Sequence, residues 1–150
     1  MRLKPCSSPA HHQFDFWIGD WDVTDNLHGN AAAGSSHVEL ILGDCVIFEN
    51  WTGRQGGSGK SFNAWNAAAK SWQQNWMDDS GTVTNYVDGR FANDQMRFTA
   101  ERHTGDPAGR IDRLTFFRLG PDRVRQLFDH STDNGKLWVA DIDLDYGRHK

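Results

Sequence analysis

Hydrophobic and polar positions alternate along most of this chain, and the alternation is sharpest near its start. From Trp17 to Val23, the residues Trp17, Gly19, Trp21 and Val23 fall on one side of an extended backbone and Ile18, Asp20 and Asp22 on the other. Similar short runs follow at Ser36–Leu42, Cys45–Thr52, Lys60–Asn66, Ser71–Asp78, Thr82–Val87, Arg90–Arg102, Ile111–Leu119, Arg123–Ser131 and Leu137–Tyr146. Turn residues separate them: Gly43-Asp44, Ala67–Lys70, the His103–Gly109 stretch, Gly120-Pro121 and the hairpin signal Asp133-Asn134-Gly135. Asp88-Gly89 and Ala92–Asp94 break the longest run. Asp25–Ser35 and Gly53–Gly59 lack the pattern and read as loops, and Pro9–Phe16 reads as a helical turn that plugs one end. Many short strands joined by tight turns, with no long amphipathic helix, predict an all-β fold: an up-and-down antiparallel β-barrel of about ten strands. It forms a single domain over residues 1–150, with residues 1–8 as a flexible tail.

Several of these stretches carry a resemblance. Phe14–Trp21 (FDFWIGDW) contains Gly19-Asp20-Trp21, and it is followed by Cys45–Glu49 with Trp51, by SWQQNWMD from Ser71, by STDNGKLW from Ser131 and by Tyr146-Gly147-Arg148. Together they resemble an uncharacterised bacterial family of lipocalin-like proteins in the calycin superfamily, over nearly the whole chain. The resemblance implies a barrel whose first-strand Trp21 is crossed by a last-strand cation, here Arg148. It implies fold more than function.

Composition narrows the function classes. The formal net charge is −4, and the 16 Lys and Arg are scattered, so a nucleic-acid groove is not expected. Seven Trp among 12% aromatics imply an interior, or a cavity, lined by large flat groups. The segment before Pro9 has no apolar run, and no stretch approaches the roughly 18 apolar residues of a spanning helix, so neither a signal peptide nor membrane association is expected and the location is read as cytoplasmic. Cys6 in the expected tail and Cys45 on a strand predict two free thiols.

The chemistry sits on one face of several strands. Glu49 and Trp51 share a side, as do Asn63 and Trp65, then Trp72, Gln74 and Trp76, then Arg113 and Phe117, then Gln126, Phe128 and His130. Turned inward, these faces make an aromatic cavity with a few directed polar groups, the usual composition of a small-molecule site. Trp51, Trp65, Trp72 and Trp76 are then stacking walls, while Glu49, Asn63, Gln74 and Arg113 orient a small, partly hydrophobic or planar ligand. The plainer reading of the same residues is a Glu49–Arg113 ion pair and amides that satisfy buried indoles. Glu49 between aromatic walls also has the setting of a general acid or base, which makes an isomerase, hydratase or cyclase-like enzyme the first alternative. Haem binding through His130 is the second, by analogy with nitrobindin-like barrels, and a filled barrel acting through its surface is the third.

No other cofactor is expected. His11 and His12 diverge and no Cys/His set has zinc spacing, so no metal is expected either. No nucleophile motif is present, and Ser131 faces away from His130. Asp141, Asp143 and Asp145 alternate with Trp138, Ala140, Ile142, Leu144 and Tyr146, which predicts carboxylates outside and an apolar row inside. The chain is read as a monomer or homodimer.

Overall fold

The computed structural model describes residues 4–150, and its ten antiparallel strands form a closed barrel. In order they are β1 (Gly19–Asp25), β2 (Ala31–Ile41), β3 (Val46–Gly53), β4 (Ser58–Asn66), β5 (Ser71–Asp78), β6 (Val83–Ala92), β7 (Gln95–Ala100), β8 (Ile111–Gly120), β9 (Arg123–Ser131) and β10 (Val139–Arg148). Each strand pairs with its neighbours in sequence, and β1 closes the ring against β10. Closure leaves no unpaired edge to aggregate.

Most turns sit where the sequence marks them. Leu42, Gly43 and Asp44 all take positive φ between β2 and β3, Asn93 and Asp94 do so between β6 and β7, and Asn134 and Gly135 do so before β10. Several boundaries differ from the pattern: β4 opens at Ser58, inside the expected Gly53–Gly59 loop, Cys45 precedes β3, and three further differences have a local cause. Ala31–Ser35 is strand rather than loop, because pairing with β1, joined by β3 at Gly34 and Ser35, satisfies its backbone without any hydrophobic alternation. Asp88-Gly89 is not a turn but a bulge inside β6, where the pairing with β7 shifts between Val87 and Arg90. Residues 136–138 lie outside β10, since the Asp133 carboxylate accepts from the backbone N–H groups of Lys136 and Leu137 and holds them in the loop.

One end of the barrel is packed solid. Two short 3-10 turns, Pro9–His12 and Asp15–Trp17, carry Phe14 and Trp17 into it, both fully buried. Phe14 stacks on Trp17 with centroids 5.1 Å apart, and Phe116 approaches the two rings at 4.9 and 4.7 Å. The Trp21 indole N–H donates to the Trp17 carbonyl at 2.8 Å, tying plug to first strand. Arg148 then crosses Trp21 at 4.4 Å and donates to the Ile18 carbonyl at 3.0 Å. The space comes from Gly19, where a Cβ would lie 2.2 Å from the guanidinium.

The two cysteines correct an expectation. Cys6 and Cys45 form a disulfide across Cα atoms 5.1 Å apart, so neither thiol is free. Alternation along the chain cannot reveal this, because the pairing depends on the N-terminal segment folding back over the β2–β3 turn. Lys4 joins Asp44 there at 2.6 Å. Residues 4–8 of the expected tail are thus held in place, while residues 1–3 lie outside the described residues.

Candidate functional site

Above the packed end the interior opens into a cavity of about 500 Å³. Period two brings its walls together: Glu49 and Trp51 from β3, Gln74 and Trp76 from β5, Thr84 and Tyr86 from β6, Gln126 and Phe128 from β9, and Ile142, Leu144 and Tyr146 from β10. Asp25, Asp78 and Thr82 complete its lining.

Two glycines explain why the tryptophans wall this space rather than fill it. Register aligns Trp51 with Gly59 and Gly59 with Asp78, one step along from the aligned row of Glu49, Ser61 and Trp76. A Cβ on Gly59 would lie 2.1 Å from the Trp76 ring, and one on Gly34 would lie 2.9 Å from the Trp51 ring. Each indole therefore lies over a bare stretch of neighbouring strand. Any larger residue at Gly59 pushes Trp76 inward.

Glu49 is the chemical centre. It is 3% exposed, and its Oε1 accepts from the Ser61 hydroxyl at 2.8 Å. Ser61 in turn accepts from the Asn63 amide at 2.9 Å, and Asn63 accepts from Gln74 at 2.7 Å. All three bonds donate towards the carboxyl group, so the chain from the cavity wall to Glu49 is polarised in one direction. On the opposite side the Tyr146 hydroxyl lies 3.5 Å from Glu49 Oε2 and 3.2 Å from Gln126 Oε1. Having one proton, it donates to one of them at a time.

Burial dominates the acidity here. It raises Glu49 to about 7, against smaller opposing effects from the hydroxyls of Ser61, Tyr146 and Ser36. Ser36 acts by proximity, since its buried oxygen makes no hydrogen bond of ordinary geometry. The Tyr146 phenol is held well above its usual range by burial and then by Glu49, and burial pushes Tyr86 up to about 12. Asp78 is shifted the other way, because the Ser80 hydroxyl, the backbone N–H groups of Ser80 and Thr82, and the Trp76 indole all donate to it.

Of the residues anticipated from sequence, Glu49, Trp51, Gln74, Trp76, Gln126 and Phe128 line the cavity. Asn63 is buried behind it as a relay. Trp72 belongs to the packed end, edge-on to Phe14 at 5.7 Å with its indole donating to Gln13, and Trp65 is paired beside it, outside the lining. Arg113 and Phe117 face outward, since β8 turns Leu114 and Phe116 into the core. Arg113 forms a two-pronged pair with Asp129 at 2.9 and 2.6 Å and lies over Trp138 at 3.5 Å. It is therefore no partner for Glu49.

Trp138 and Ala140, expected inside, are not: Trp138 covers Arg113 and Ala140 is exposed, because a bulge between Ala140 and Ile142 shifts the phase of β10. Beyond it the anticipated alternation returns, with Asp143 and Asp145 outside on Arg125 and Arg123. His130 bonds Asp141 at 2.7 Å and does not line the cavity, so it does not fit the part of a haem ligand there. Among the described residues no group of three His, Cys, Asp or Glu is placed to hold a metal, and no helix is long and apolar enough to cross a membrane.

Sequence reasoning missed Tyr86 and Tyr146 as site residues. Tyr146 already stood on the inward row of β10, and that row was the available signal. No family model matches this chain, and no curated protein matches it in sequence.

Proposed function

We propose that this protein binds a small, partly apolar, planar ligand in the cavity above its plug. The observation that carries this reading is the division of the interior: one end is filled by interlocked aromatics, while the other keeps about 500 Å³ beneath two indoles seated over glycines. A core needing only stability would fill that volume with aliphatic side chains, since voids cost packing energy and unpaired polar groups cost more. Cavities of this size with a few polar anchors suit one ligand of modest size.

The brace of Gly19, Trp21 and Arg148 supports assignment to the lipocalin-like barrels. The disulfide favours an oxidising setting over the cytoplasm, where thiols are kept reduced.

Native mass spectrometry of the protein as purified, compared with the denatured chain, tests binding directly. A mass excess lost on unfolding is the expected result. With that ligand in hand, Trp76→Ala and Gln74→Ala should each weaken binding well beyond twofold, and unchanged affinity in both would overturn the reading.

A second reading rests on Glu49, a buried carboxyl group with an acidity near neutral and a phenol beside it. Those are the attributes of a general acid–base catalyst of the isomerase, hydratase or cyclase kind. A Glu49→Gln variant that keeps its ligand but loses turnover would select this reading.

A further inference from the structure

The ionisable groups of the cavity share one sign. Its lining contains Asp25, Glu49 and Asp78 and the phenols Tyr86 and Tyr146, and among the described residues it contains no Lys, Arg or His. Arg113, the cation that the sequence offered to Glu49, is engaged on Asp129 on the outer wall, and Asp25 is bonded by His28 at 2.8 Å from outside the lining. Glu49 receives only neutral hydroxyl donors. An anionic ligand would meet like charge in a poorly solvated space, and a neutral apolar one would leave a buried carboxyl group without a ligand partner. A cation meets neither penalty. It also gains from the aromatic rings of Trp51, Trp76, Tyr86 and Phe128 in the lining, since such rings attract ammonium groups most strongly where water is excluded.

Resting on the cavity reading above, we propose that the ligand is an organic cation, an amine with a flat apolar body, whose ammonium group lies against Glu49 within the aromatic walls.

The proposal has a balance that can be measured. The amine enters already protonated, Glu49 ionises to meet it, and the carboxyl proton passes to solvent. The groups facing Glu49 are Ser36 from β2, Ser61 from β4 and Tyr146 from β10, with Gln74 and Gln126 on the nearby walls. Of these only Tyr146 titrates, and it stays neutral, so the released proton belongs to Glu49. With Glu49 raised to about 7, proton release should be measurable at pH 7 and should grow as the pH is lowered below it.

The test uses the intact wild-type protein and three probes of one shape: tryptamine, the matching indole alcohol and the matching indole carboxylate. Isothermal titration in buffers of different ionisation heat reads affinity and proton release together. Tryptamine should bind roughly tenfold or more tightly than the alcohol, the carboxylate should bind weakest, and proton release should accompany tryptamine alone. In Glu49→Gln the release should vanish and the amine's advantage should shrink.

Alcohol and amine binding equally would overturn the cation assignment and leave the cavity reading standing. Failure of all three probes, together with no mass excess in the native protein, would overturn both. Because the decisive comparison is made on wild-type protein, it holds even if the Glu49 variant folds poorly.

Discussion

Ser61 donates its hydroxyl to Glu49 at 2.8 Å, across paired positions of β3 and β4, and so holds from behind the carboxyl group that lines the cavity. The bond is not strong enough to offset burial, and Glu49 remains raised from its ordinary 4.5 to about 7. Below pH 4.5 both folded and unfolded chains hold the proton, and this group's contribution to stability is fully present. Between 4.5 and about 7 only the unfolded chain gives it up, so stability falls as pH rises, and above 7 it levels off. The loss is roughly 3 kcal/mol across that window. Urea unfolding of wild type and Glu49→Gln at several pH values should show the two diverging above pH 5, with the variant the more stable at pH 8.

Gly59 keeps the cavity open by leaving room for Trp76. Gly59→Ala should cost about 1–3 kcal/mol through overpacking and should weaken ligand binding at least tenfold. Thermal melts and the probe titration check this, and a variant that binds normally would show that Trp76 can move without closing the cavity.

Arg113 separates the outer wall from the site. Its removal strands Asp129, which is 5% exposed, so Arg113→Ala should destabilise the fold by roughly 2–4 kcal/mol while ligand affinity stays within about twofold. A large loss of affinity with stability retained would contradict its placement on the outer wall.

The Cys6–Cys45 bond closes a sequence separation of 39 residues. Reduction, or paired substitution to Ser, should lower stability by about 2–4 kcal/mol, and thiol titration of the unreduced, unfolded chain should detect no free thiol. Finding two thiols would refute the bond.

At the closed end, Arg148→Ala removes the cation over Trp21 and the donor to the Ile18 carbonyl. A cost of about 1–3 kcal/mol is expected in chemical unfolding, with Arg148→Lys recovering only part of it because it lacks the flat, forked head.

The sequence by itself determined the barrel. Alternation is a local property of an extended backbone, and turn residues such as Asn93-Asp94 and Asn134-Gly135 declare themselves by the positive φ they tolerate. It also pointed to Glu49, Trp51, Gln74 and Trp76, because period two assigns a shared face within one strand. It failed where no hydrophobic alternation marks a strand: Ala31–Ser35 is strand because β1 pairs along it and β3 joins at Gly34 and Ser35.

Tertiary structure decided the rest. Which face of β8 points inward is settled by Phe116 packing against the plug, with Leu114 buried in the same row, and that choice sends Arg113 outside. How far up the barrel the plug reaches decides that Trp72 is core while Trp76 is cavity wall. The disulfide, the place of Tyr86 in the cavity wall, the meeting of Tyr146 with Glu49, and the lack of a cation among the described lining residues all depend on which strands meet around a closed ring. Such meetings join residues far apart in the chain, and no local pattern encodes them.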